Sequence, residues 1–458
     1  MAMISRALGY ATLLGTMSVH AANYYVDSSL GVDTNSGGET TPWKTLARVN
    51  SAKLMPGDSV FFKRGGLWSE TLRPPTSGII GNPIIFDAYG SGDLPKITGK
   101  LNGSCIHWTS PRSHLVFRNL HLLNCGQPDG YKAGGINVWS SGGLSSGILV
   151  ENSLIEGAQT WNIFMDGMSD LTIRNNVIRG AELEHGIYLS GELGFSGVLI
   201  EGNEIYNNKA MCIQFNPNAG QRLAGIIMRY NSLLDCTYGG INNLGAAGAE
   251  IYYNIIYGSM PGIYNTCDGA DSGCAFGATG GIYVNNTIVT KGTGWSTCFE
   301  NESNLGSPDF KAFVNNICWH DAASGESFGD NEATSKARVE YNQFYSPRGD
   351  VKIGRKGIYY SSFAAYIKAH PEDVGQLFGN PKFTNLLAND FRLTPESPAI
   401  DSGISWGFNR DLAAELVPSG TAPDRGAFEL NQGGGVIPPS PIPPVLPIGA
   451  PYNLRVIQ

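Results

Sequence analysis

The sequence predicts an all-β solenoid built of short strands. One asparagine-centred motif recurs along the middle of the chain, and short runs of Val, Ile, Leu and Tyr are separated by turns. No stretch between residues 100 and 345 has the pattern of an amphipathic helix. The 60 glycines fit a chain that turns often. Self-similarity at a fixed period is typical of repeat architectures.

The recurring motif is an apolar run that ends at an asparagine and continues with one or two aliphatic residues. Its copies are centred on Asn119, Asn176, Asn203, Asn254, Asn286, Asn316 and Asn342, with serine in register at Ser153 and Ser232. These nine positions span 223 residues in eight intervals, or about 28 residues per coil. Because an amide both donates and accepts hydrogen bonds, stacked asparagines are expected to form a ladder along the solenoid.

The first 22 residues have the pattern of a secretory signal peptide. Arg6 supplies the positive charge, ALGYATLLGTMSV the apolar run and VHA the small-residue exit, so cleavage is expected after Ala21 or Ala22. An ordinary apolar N-terminal strand is the alternative. No later apolar run is long enough to predict a membrane-spanning helix. We therefore predict a secreted protein, periplasmic or extracellular.

The cysteines and the net charge indicate the compartment of the protein and argue against one class of partner. Eight cysteines fit an oxidising compartment. Among the 105 connectivities that they allow, we predict sequential pairing: Cys105 with Cys125, Cys212 with Cys236, Cys267 with Cys274, and Cys298 with Cys318. Buried free thiols are the alternative. A net charge of −8 and a pI near 5.4 argue against nucleic acid as a partner.

The chain divides into five segments. After the signal peptide, residues 23–100 are predicted to form an N-terminal cap and the first coils, with a helix after Thr41 and Pro42 whose Trp43, Leu46, Val49 and Leu54 close the end of the solenoid. Residues 101–345 form the regular coils. Residues 346–430 form a less regular covering section with a helix near residues 361–377, and residues 431–458 are a Gly/Pro-rich linker and tail.

Several segments outside the repeat resemble those of a known superfamily. They are YYVDSSLGVDTNSGGETTPWKTLARVNS, MPGDSVFFKRGGLW and GNPIIFDAYG near the N-terminus, and DFRLTPESPAIDSG and PDRGAFE near the C-terminus. Together with the repeat, they make residues 23–430 resemble the right-handed parallel β-helix superfamily of pectate-lyase-like, secreted polysaccharide-active proteins. The resemblance implies that fold and a polysaccharide groove on one sheet. It does not imply one activity, because the superfamily contains lyases, hydrolases, epimerases and non-enzymes.

A second repeat runs in phase with the asparagines. Its inward positions are predicted to be Ile136, Ile163, Ile187, Ile213, Ile241 and Ile263. Alternation along a strand then places one outward column at Asn137, Phe164, Tyr188, Gln214, Asn242 and Tyr264, and a second at Trp139, Asp166, Ser190, Asn216, Leu244 and Thr266. Amides and aromatic faces suit sugar hydroxyls and C–H groups. A covering loop or the C-terminal section is the alternative explanation of this surface.

The segment AELEHGIYLSG holds the densest group of titratable residues on that surface. We predict β-elimination of a uronate polysaccharide, with His185 as the base, Tyr188 as the acid and Asn216 or Asn242 stabilising the developing charge. The predicted substrate contacts are Trp139, Asn137, Lys209, Gln214, Asn216, Asn242 and Tyr264. A structural histidine bonded within a turn is the alternative for His185.

Other functions stay open at this stage. A glycoside hydrolase would use Asp166 with Glu184 on the neighbouring coil. A non-catalytic polysaccharide-binding or surface protein is a third class. Glu300 and Glu302 continue the face at its far end as weaker candidates. Asp268 and Asp271 could ligate Ca²⁺, the one cofactor that the sequence suggests. We expect a monomer.

Overall fold

The computed structural model describes residues 21–217, 223–258, 261–266, 278–302 and 308–431. Within them the chain winds through stacked coils that form a 22-stranded sheet and a 12-stranded sheet, with parallel pairing between successive coils. The larger sheet bends into two faces, so each complete coil crosses three sheets. We number them sheet 1, sheet 2 and sheet 3 in the order in which a coil crosses them.

The strands distribute over the three sheets as follows. Sheet 1 contains Ile106–Trp108, Gly134–Val138, Met211–Pro217, Gly239–Asn243, Ile263–Thr266, Phe299–Glu302, Phe328–Asp330, Ile353–Arg355 and the antiparallel Ile358–Tyr360. Sheet 2 contains Asn23–Val26, Ser59–Lys63, Ile84–Tyr89, Ser113–Arg118, Ser145–Glu151, Leu223–Arg229, Ala246–Ala247, Glu250–Tyr252, Gly281–Val284, Phe310–Val314 and Arg338–Glu340. Two long strands, Trp161–Arg174 and Ile187–Glu201, run through both sheets.

Sheet 3 completes each coil with short strands. They are Leu67–Trp68, Lys96–Ile97, His121–Leu123, Leu154–Glu156, Val177–Arg179, Glu204–Tyr206, Ser232–Leu234, Ile255–Gly258, Thr287–Trp295, Ile317–Ser324, Gln343–Tyr345 and Leu377–Phe378. Outside the coils lie the hairpin Phe383–Asn385 with Asp390–Leu393, the helices Leu46–Asn50 and Phe363–Ala369, and the 3₁₀ turn Leu386–Ala388. The core between the three sheets is mainly apolar, and its isoleucines are buried.

The N-terminal helix is present but starts later than predicted. Thr45, rather than Thr41, is its N-cap, and its side chain accepts a hydrogen bond from the Arg48 N–H. Thr41 instead forms a β-bridge with Gly38. The Asp33 carboxylate accepts from the backbone N–H groups of Lys44 and Thr45, directly before the helix. The four apolar residues expected to close the solenoid, Trp43, Leu46, Val49 and Leu54, are all buried in the core.

The asparagine ladder lies at the turn between sheets 2 and 3. It runs through Ser153, Asn176, Asn203, Asn231, Asn254, Asn286, Asn316 and Asn342. From Asn203 onwards, each Oδ1 accepts from the backbone N–H and the Nδ2 of the asparagine one coil before, as Asn254 does from Asn231 at 3.0 Å. Asn176 Oδ1 accepts only from the Ser153 N–H. Every ladder asparagine is at most 1% exposed.

Two predicted ladder positions are wrong by one residue. Asn231 occupies the position assigned to Ser232, and Leu120 occupies the position assigned to Asn119. The reason is the turn itself, which needs a left-handed residue immediately before the ladder residue. Asn119 has φ 56° and fills that left-handed position in its own coil.

Replacing Asn254 should measure what one step of the ladder contributes. Its Nδ2 donates to Met228 O, Tyr252 O and the next amide, so Asn254→Ala leaves buried groups unpaired and should lower the free energy of unfolding by about 1–3 kcal/mol. Asn254→Ser should cost less, since Ser153 fills the equivalent position by accepting from Leu120 N and donating to Glu151 O. Chemical denaturation tests the order, and equal losses for both variants would contradict it.

A second ladder, not predicted from the sequence, lies inside sheet 1. The inward column that follows the isoleucines is apolar at Val138, Met165, Leu189 and Phe215 and then becomes Asn243, Asn265, Asn301 and Asp330. Each Nδ2 in the polar part donates to the next oxygen, at 3.0, 2.7 and 3.1 Å. The ladder ends on Arg355, which is 1% exposed and pairs with Asp330 and Asp373.

Three disulfides lie within the described residues and confirm three predicted pairs: Cys105–Cys125, Cys212–Cys236 and Cys298–Cys318. The predicted pair of Cys267 with Cys274 lies outside the described residues, as do residues 1–20 of the predicted signal peptide and residues 432–458 of the predicted tail. The disulfides suit an oxidising compartment. A secreted location and the signal peptide themselves stay predictions.

The last part of the C-terminal section, residues 404–426, lies along the turn between sheets 2 and 3. Asn285 donates to the carbonyls of Asp424 and Gly426, and Asn315 exchanges hydrogen bonds with the backbone of Ile404. These contacts place it on the ladder side, away from the strands of sheet 1. Among the described residues, no helix is long and apolar enough to cross a membrane.

Candidate active site on sheet 1

The outward face of sheet 1 has the register that the sequence predicted. The six isoleucines pair coil to coil, and one column runs through His107, Asn137, Phe164, Tyr188, Gln214, Asn242, Tyr264 and Glu300. A second column includes Asp166, Ser190 and Asn216, and continues at Thr266 and Glu302. Aromatic, amide and carboxyl side chains therefore follow one another along a single face.

The N-terminal third of this face is aromatic. Phe164 packs between Trp139 and Trp161 with ring centroids 4.5 and 4.6 Å away, and Tyr188 meets its edge at 5.4 Å. Phe164 and Trp161 are buried, whereas Trp139 and Tyr188 are half-buried and form the accessible surface. Asn137, a predicted substrate contact, is only 2% exposed and donates to Lys132 O and Ser104 Oγ.

The surroundings of His185 do not suit a general base. Its Nδ1 accepts a hydrogen bond from the Met211 N–H at 3.1 Å, so the neutral ring carries its proton on Nε2, 3.3 Å from Glu184 Oε2. Burial lowers the pKa of His185 to about 4. Both nitrogens are thus engaged and the ring is a weak base, which matches the structural role left open by the sequence. Burial also raises the pKa of Glu184.

The structure does not bring Asp166 and Glu184 together as a carboxylate pair. Asp166 is in register with Ser190, whereas Glu184 lies beside Thr160, six residues earlier along the strand. At about 3.3 Å per residue, the two carboxyls lie near opposite edges of the face, on the order of 20 Å apart. The hydrolase pair predicted from adjacent coils is therefore wrong. Lys209 lies on the same edge as Glu184 and is exposed.

Amides occupy the middle of the face. Asn242 donates to Gln214 Oε1 at 3.0 Å, and Asn216 donates to the Tyr188 hydroxyl at 3.0 Å. Asn242 Oδ1 has no hydrogen-bond partner among the described residues. The four predicted contacts are all half-buried and lie on three consecutive coils: Gln214 and Asn216 share one, and Asn242 and Tyr264 lie on the next two.

The C-terminal end of the face holds a cluster of carboxyls. Glu300 is 1% exposed, and Glu302 is half-buried two residues along the same strand. The Asn331 Nδ2 donates to Glu300 Oε1 at 2.7 Å and to Glu302 Oε2 at 2.9 Å. Burial, with the charges of Glu326 and Glu302, raises the pKa of Glu300 to about 9. Gly329 makes room for this carboxyl, since a Cβ there would lie 2.7 Å from both of its oxygens.

The cluster is completed by residues that follow in later coils. Tyr359, on the antiparallel strand, is 47% exposed and donates to Asn331 Oδ1 at 2.7 Å. Lys352 lies 3.7 Å from Glu326 Oε2, and burial raises the pKa of Glu326. The Tyr264 hydroxyl donates to Glu302 Oε1 at 3.2 Å. Burial and the charge of Glu326 also raise the pKa of Tyr359.

The predicted calcium ligands Asp268 and Asp271 lie outside the described residues. Among the residues that the structure describes, no group of three or more His, Cys, Asp or Glu side chains is arranged to hold a metal ion. A separate cleft on sheet 3 is lined in part by Glu156, Arg179 and Tyr206, but its charged groups bond to one another: Arg179 donates to Glu156 at 2.6 Å and to Tyr206 at 2.7 Å. The carboxyl cluster on sheet 1 is therefore the candidate site.

A solenoid of parallel coils with a polar face on one sheet defines the class of protein as a parallel β-helix. The family model "Right handed beta helix region" matches residues 96–220. The solved structure of pectate lyase Pel9A is similar in fold, with a TM-score of 0.58 and 16% identity over 90% of this chain and 97% of that chain. The right-handed parallel β-helix predicted from the sequence is thus confirmed.

Two further proteins are similar to this chain. The uncharacterized protein YwoF of Bacillus subtilis (strain 168) is 23% identical over 83% of this chain and 92% of its own length. A GH136 lacto-N-biosidase from Eubacterium ramulus has a TM-score of 0.47 and 18% identity over 71% of this chain. The chain spans 64% of the length of that structure.

Proposed function

We propose that this protein is a glycoside hydrolase that binds a polysaccharide along sheet 1 and cleaves it at the carboxyl cluster. The observation that carries the proposal is the Asn331 amide, which holds Glu300 and Glu302 together. In the proposed mechanism, Glu300 is the acid that protonates the glycosidic oxygen. Glu302 supplies the carboxylate that attacks the anomeric carbon.

The spacing of the two carboxyls supports a retaining mechanism. Glu300 Oε1 and Glu302 Oε2 lie 2.7 and 2.9 Å from one nitrogen, so these oxygens cannot be more than 5.6 Å apart. Retaining glycosidases hold their carboxyls about 5–5.5 Å apart, whereas inverting ones need about 6.5–9.5 Å to admit a water. The Glu302 carboxylate would therefore attack the anomeric carbon directly, as the glycosidic bond breaks and the leaving oxygen takes the proton of Glu300. Water that gives its proton back to Glu300 would then hydrolyse the covalent intermediate and free Glu302.

The protonation of Glu300 supports its role as the acid. With a pKa of about 9 the carboxyl keeps its proton at neutral pH, as a general acid must. Its Oε2 is buried and has no hydrogen-bond partner among the described residues. An unpaired buried polar atom calls for an explanation. In the proposed mechanism the side chains that cover Oε2 move when the glycan binds, and the glycosidic oxygen becomes the missing acceptor.

The charge of the cluster favours hydrolysis over the β-elimination expected from the sequence. Elimination from a uronate needs a cation beside the sugar carboxylate. Here Lys352 is paired with Glu326, and Glu302 adds a further carboxyl, so a uronate at this position would meet like charge. The sugar at the point of cleavage is therefore proposed to be neutral.

The test is an activity panel with product analysis. The protein is incubated with neutral and acidic polysaccharides, and reducing ends are measured together with the ultraviolet absorbance of unsaturated uronates. We expect new reducing ends without that absorbance. Glu302→Ala should lower kcat by about 10²–10⁴, and added azide should restore cleavage by forming a glycosyl azide. Glu250→Ala, at an exposed carboxyl on sheet 2, is the matched control.

Two results would contradict the proposal. Unsaturated products would show an elimination instead of hydrolysis. Binding without turnover across the whole panel would indicate the non-catalytic, polysaccharide-binding class that the sequence left open.

A further inference from the structure

We propose a second binding site at the other end of the same face, a subsite at Lys132, Tyr131 and Trp139 for a sugar that carries an anionic group. It deepens the proposed function by naming the chemistry of the glycan, and it rests on that function only in assuming that a glycan lies along sheet 1. Nothing in the cleavage mechanism uses these three residues.

The first observation is the backbone of Lys132. This residue has φ 63°, a left-handed conformation that is unfavourable for lysine. Two buried side chains hold it there: its N–H donates to Thr160 Oγ1 at 3.0 Å, and its carbonyl accepts from Asn137 Nδ2 at 2.5 Å. Thr160 and Asn137 are 0% and 2% exposed. A strained residue fixed by buried partners is typical of functional sites.

The second observation is the position of the Lys132 ammonium group beside two aromatic rings. Lys132 Nζ lies 5.5 Å from the Trp139 ring centroid and 5.9 Å from that of Tyr131. Tyr131 is 72% exposed, an unusual position for a large aromatic side chain. The two rings and the cation therefore form one accessible surface, with apolar faces for a sugar ring and a charge beside them.

The third observation is the absence of an acidic partner. Within the described residues, no carboxylate lies within 4.0 Å of the Lys132 ammonium. The backbone of Glu184 lies on the same edge, two coils away beyond Thr160, which is about 10 Å from the backbone of Lys132. Asp129, three residues before Lys132, is exposed to solvent and makes no ion pair with it. An anionic substituent on a glycan would supply the missing partner.

The position of the subsite fixes the kind of ligand. Trp139 and Glu302 lie in the same outward column, six coils apart, which is about 29 Å at 4.8 Å per coil. A monosaccharide cannot reach both ends. The ligand is therefore inferred to be a polymer with an acidic residue at Lys132 and a neutral one at Glu300, since the carboxyl cluster repels acidic sugars.

Calorimetric titration with short probes tests the subsite without any turnover. The probes are tri-galacturonate and tri-mannuronate, each beside its carboxyl-reduced neutral form, and a sulfated galactose trisaccharide beside its desulfated form. We expect at least one acidic probe to bind about tenfold more tightly than its neutral counterpart, with an affinity that falls as salt is added.

The variants separate charge from fold. Lys132→Asn removes the charge but suits the left-handed backbone, so it should lose the preference for the acidic probe while keeping the melting temperature. Lys132→Arg should keep the preference. Lys53→Asn, at an exposed lysine of the N-terminal cap, is the matched control and should bind as the wild type does.

The inference is overturned if all three acidic probes bind no better than their neutral forms, or if Lys132→Asn binds as tightly as the wild type. Either result leaves the hydrolase proposal standing, because that proposal is measured by reducing ends. Conversely, acidic binding that depends on Lys132, found in a protein without turnover, would establish the subsite and remove the hydrolase.

Discussion

Replacing Glu300 by glutamine is expected to remove most of the turnover and, at the same time, to stabilise the fold. Gln cannot protonate a leaving oxygen, so kcat should fall by about 10²–10⁴. Its neutral amide has nearly the shape of the protonated carboxyl, and its Oε1 can still accept from Asn331. Loss of activity therefore cannot be attributed to a lost fold.

The stability gain follows from the raised pKa of Glu300. An unfolded chain ionises this carboxyl near pH 4.5, whereas the folded protein holds the proton up to about pH 9. Between these values the folded state binds more protons than the unfolded state, so the free energy of unfolding falls as pH rises, by up to about 1.4 kcal/mol per pH unit. Glutamine does not titrate and escapes this loss.

Thermal or chemical denaturation of both proteins at several pH values measures the effect. We expect the Glu300→Gln protein and the wild type to be similar near pH 4 and to diverge as pH increases towards about 9. Glu250→Gln, which alters an exposed carboxyl on sheet 2, should follow the wild type throughout. Parallel curves for Glu300→Gln and wild type would mean that Glu300 is ionised in the folded protein, and it could not then be the acid.

The fold could be predicted because its repeat is visible at single positions of the sequence. A ladder residue needs the same side chain in each coil, and the alternation of inward isoleucines gives the register of sheet 1 directly. The predictions at Asn119 and Ser232 are each wrong by one residue, because the ladder positions are the neighbouring Leu120 and Asn231. The ladder residue is the one that follows the left-handed turn residue. Both Asn and Tyr occupy that left-handed position, so residue type alone does not identify it.

The site could be predicted only in part. The outward columns follow from alternation. The predicted pair Asp166 and Glu184 is wrong because residues on adjacent coils are close only where they also share a position along the strand. Glu300 and Glu302 were visible as a continuation of the face. Asn331 and Tyr359 were not, since they belong to later coils and a hairpin, and only their packing brings them to the same carboxyls.

The second ladder lies in an inward column that changes from apolar to polar along the chain. Asn243, Asn265 and Asn301 follow the inward isoleucines two residues later, in a column that is apolar in earlier coils. The chain can bury these amides because each donates to the next, and because Asp330 and Arg355 end the row with a paired charge. Arg355 is thus expected to be among the most costly residues to remove.

Arg355→Met should lower the free energy of unfolding by about 3–5 kcal/mol, because it leaves Asp330 and Asp373 buried without a cation. The guanidinium donates to Asp330 at 2.5 Å and to both oxygens of Asp373 at 2.8 and 3.0 Å, so no other group replaces it. Chemical denaturation with the linear extrapolation measures the loss.

The matched experiment removes the charges together. In the triple variant Asp330→Asn, Arg355→Met and Asp373→Asn, an amide continues the ladder and no buried charge is left unpaired. This protein should recover most of the stability lost by Arg355→Met, since replacing a whole buried ion pair by neutral groups is often close to neutral. A triple variant as unstable as the single one would show that Arg355 acts through packing of its side chain, and that the charge on Asp330 does not determine how the second ladder ends.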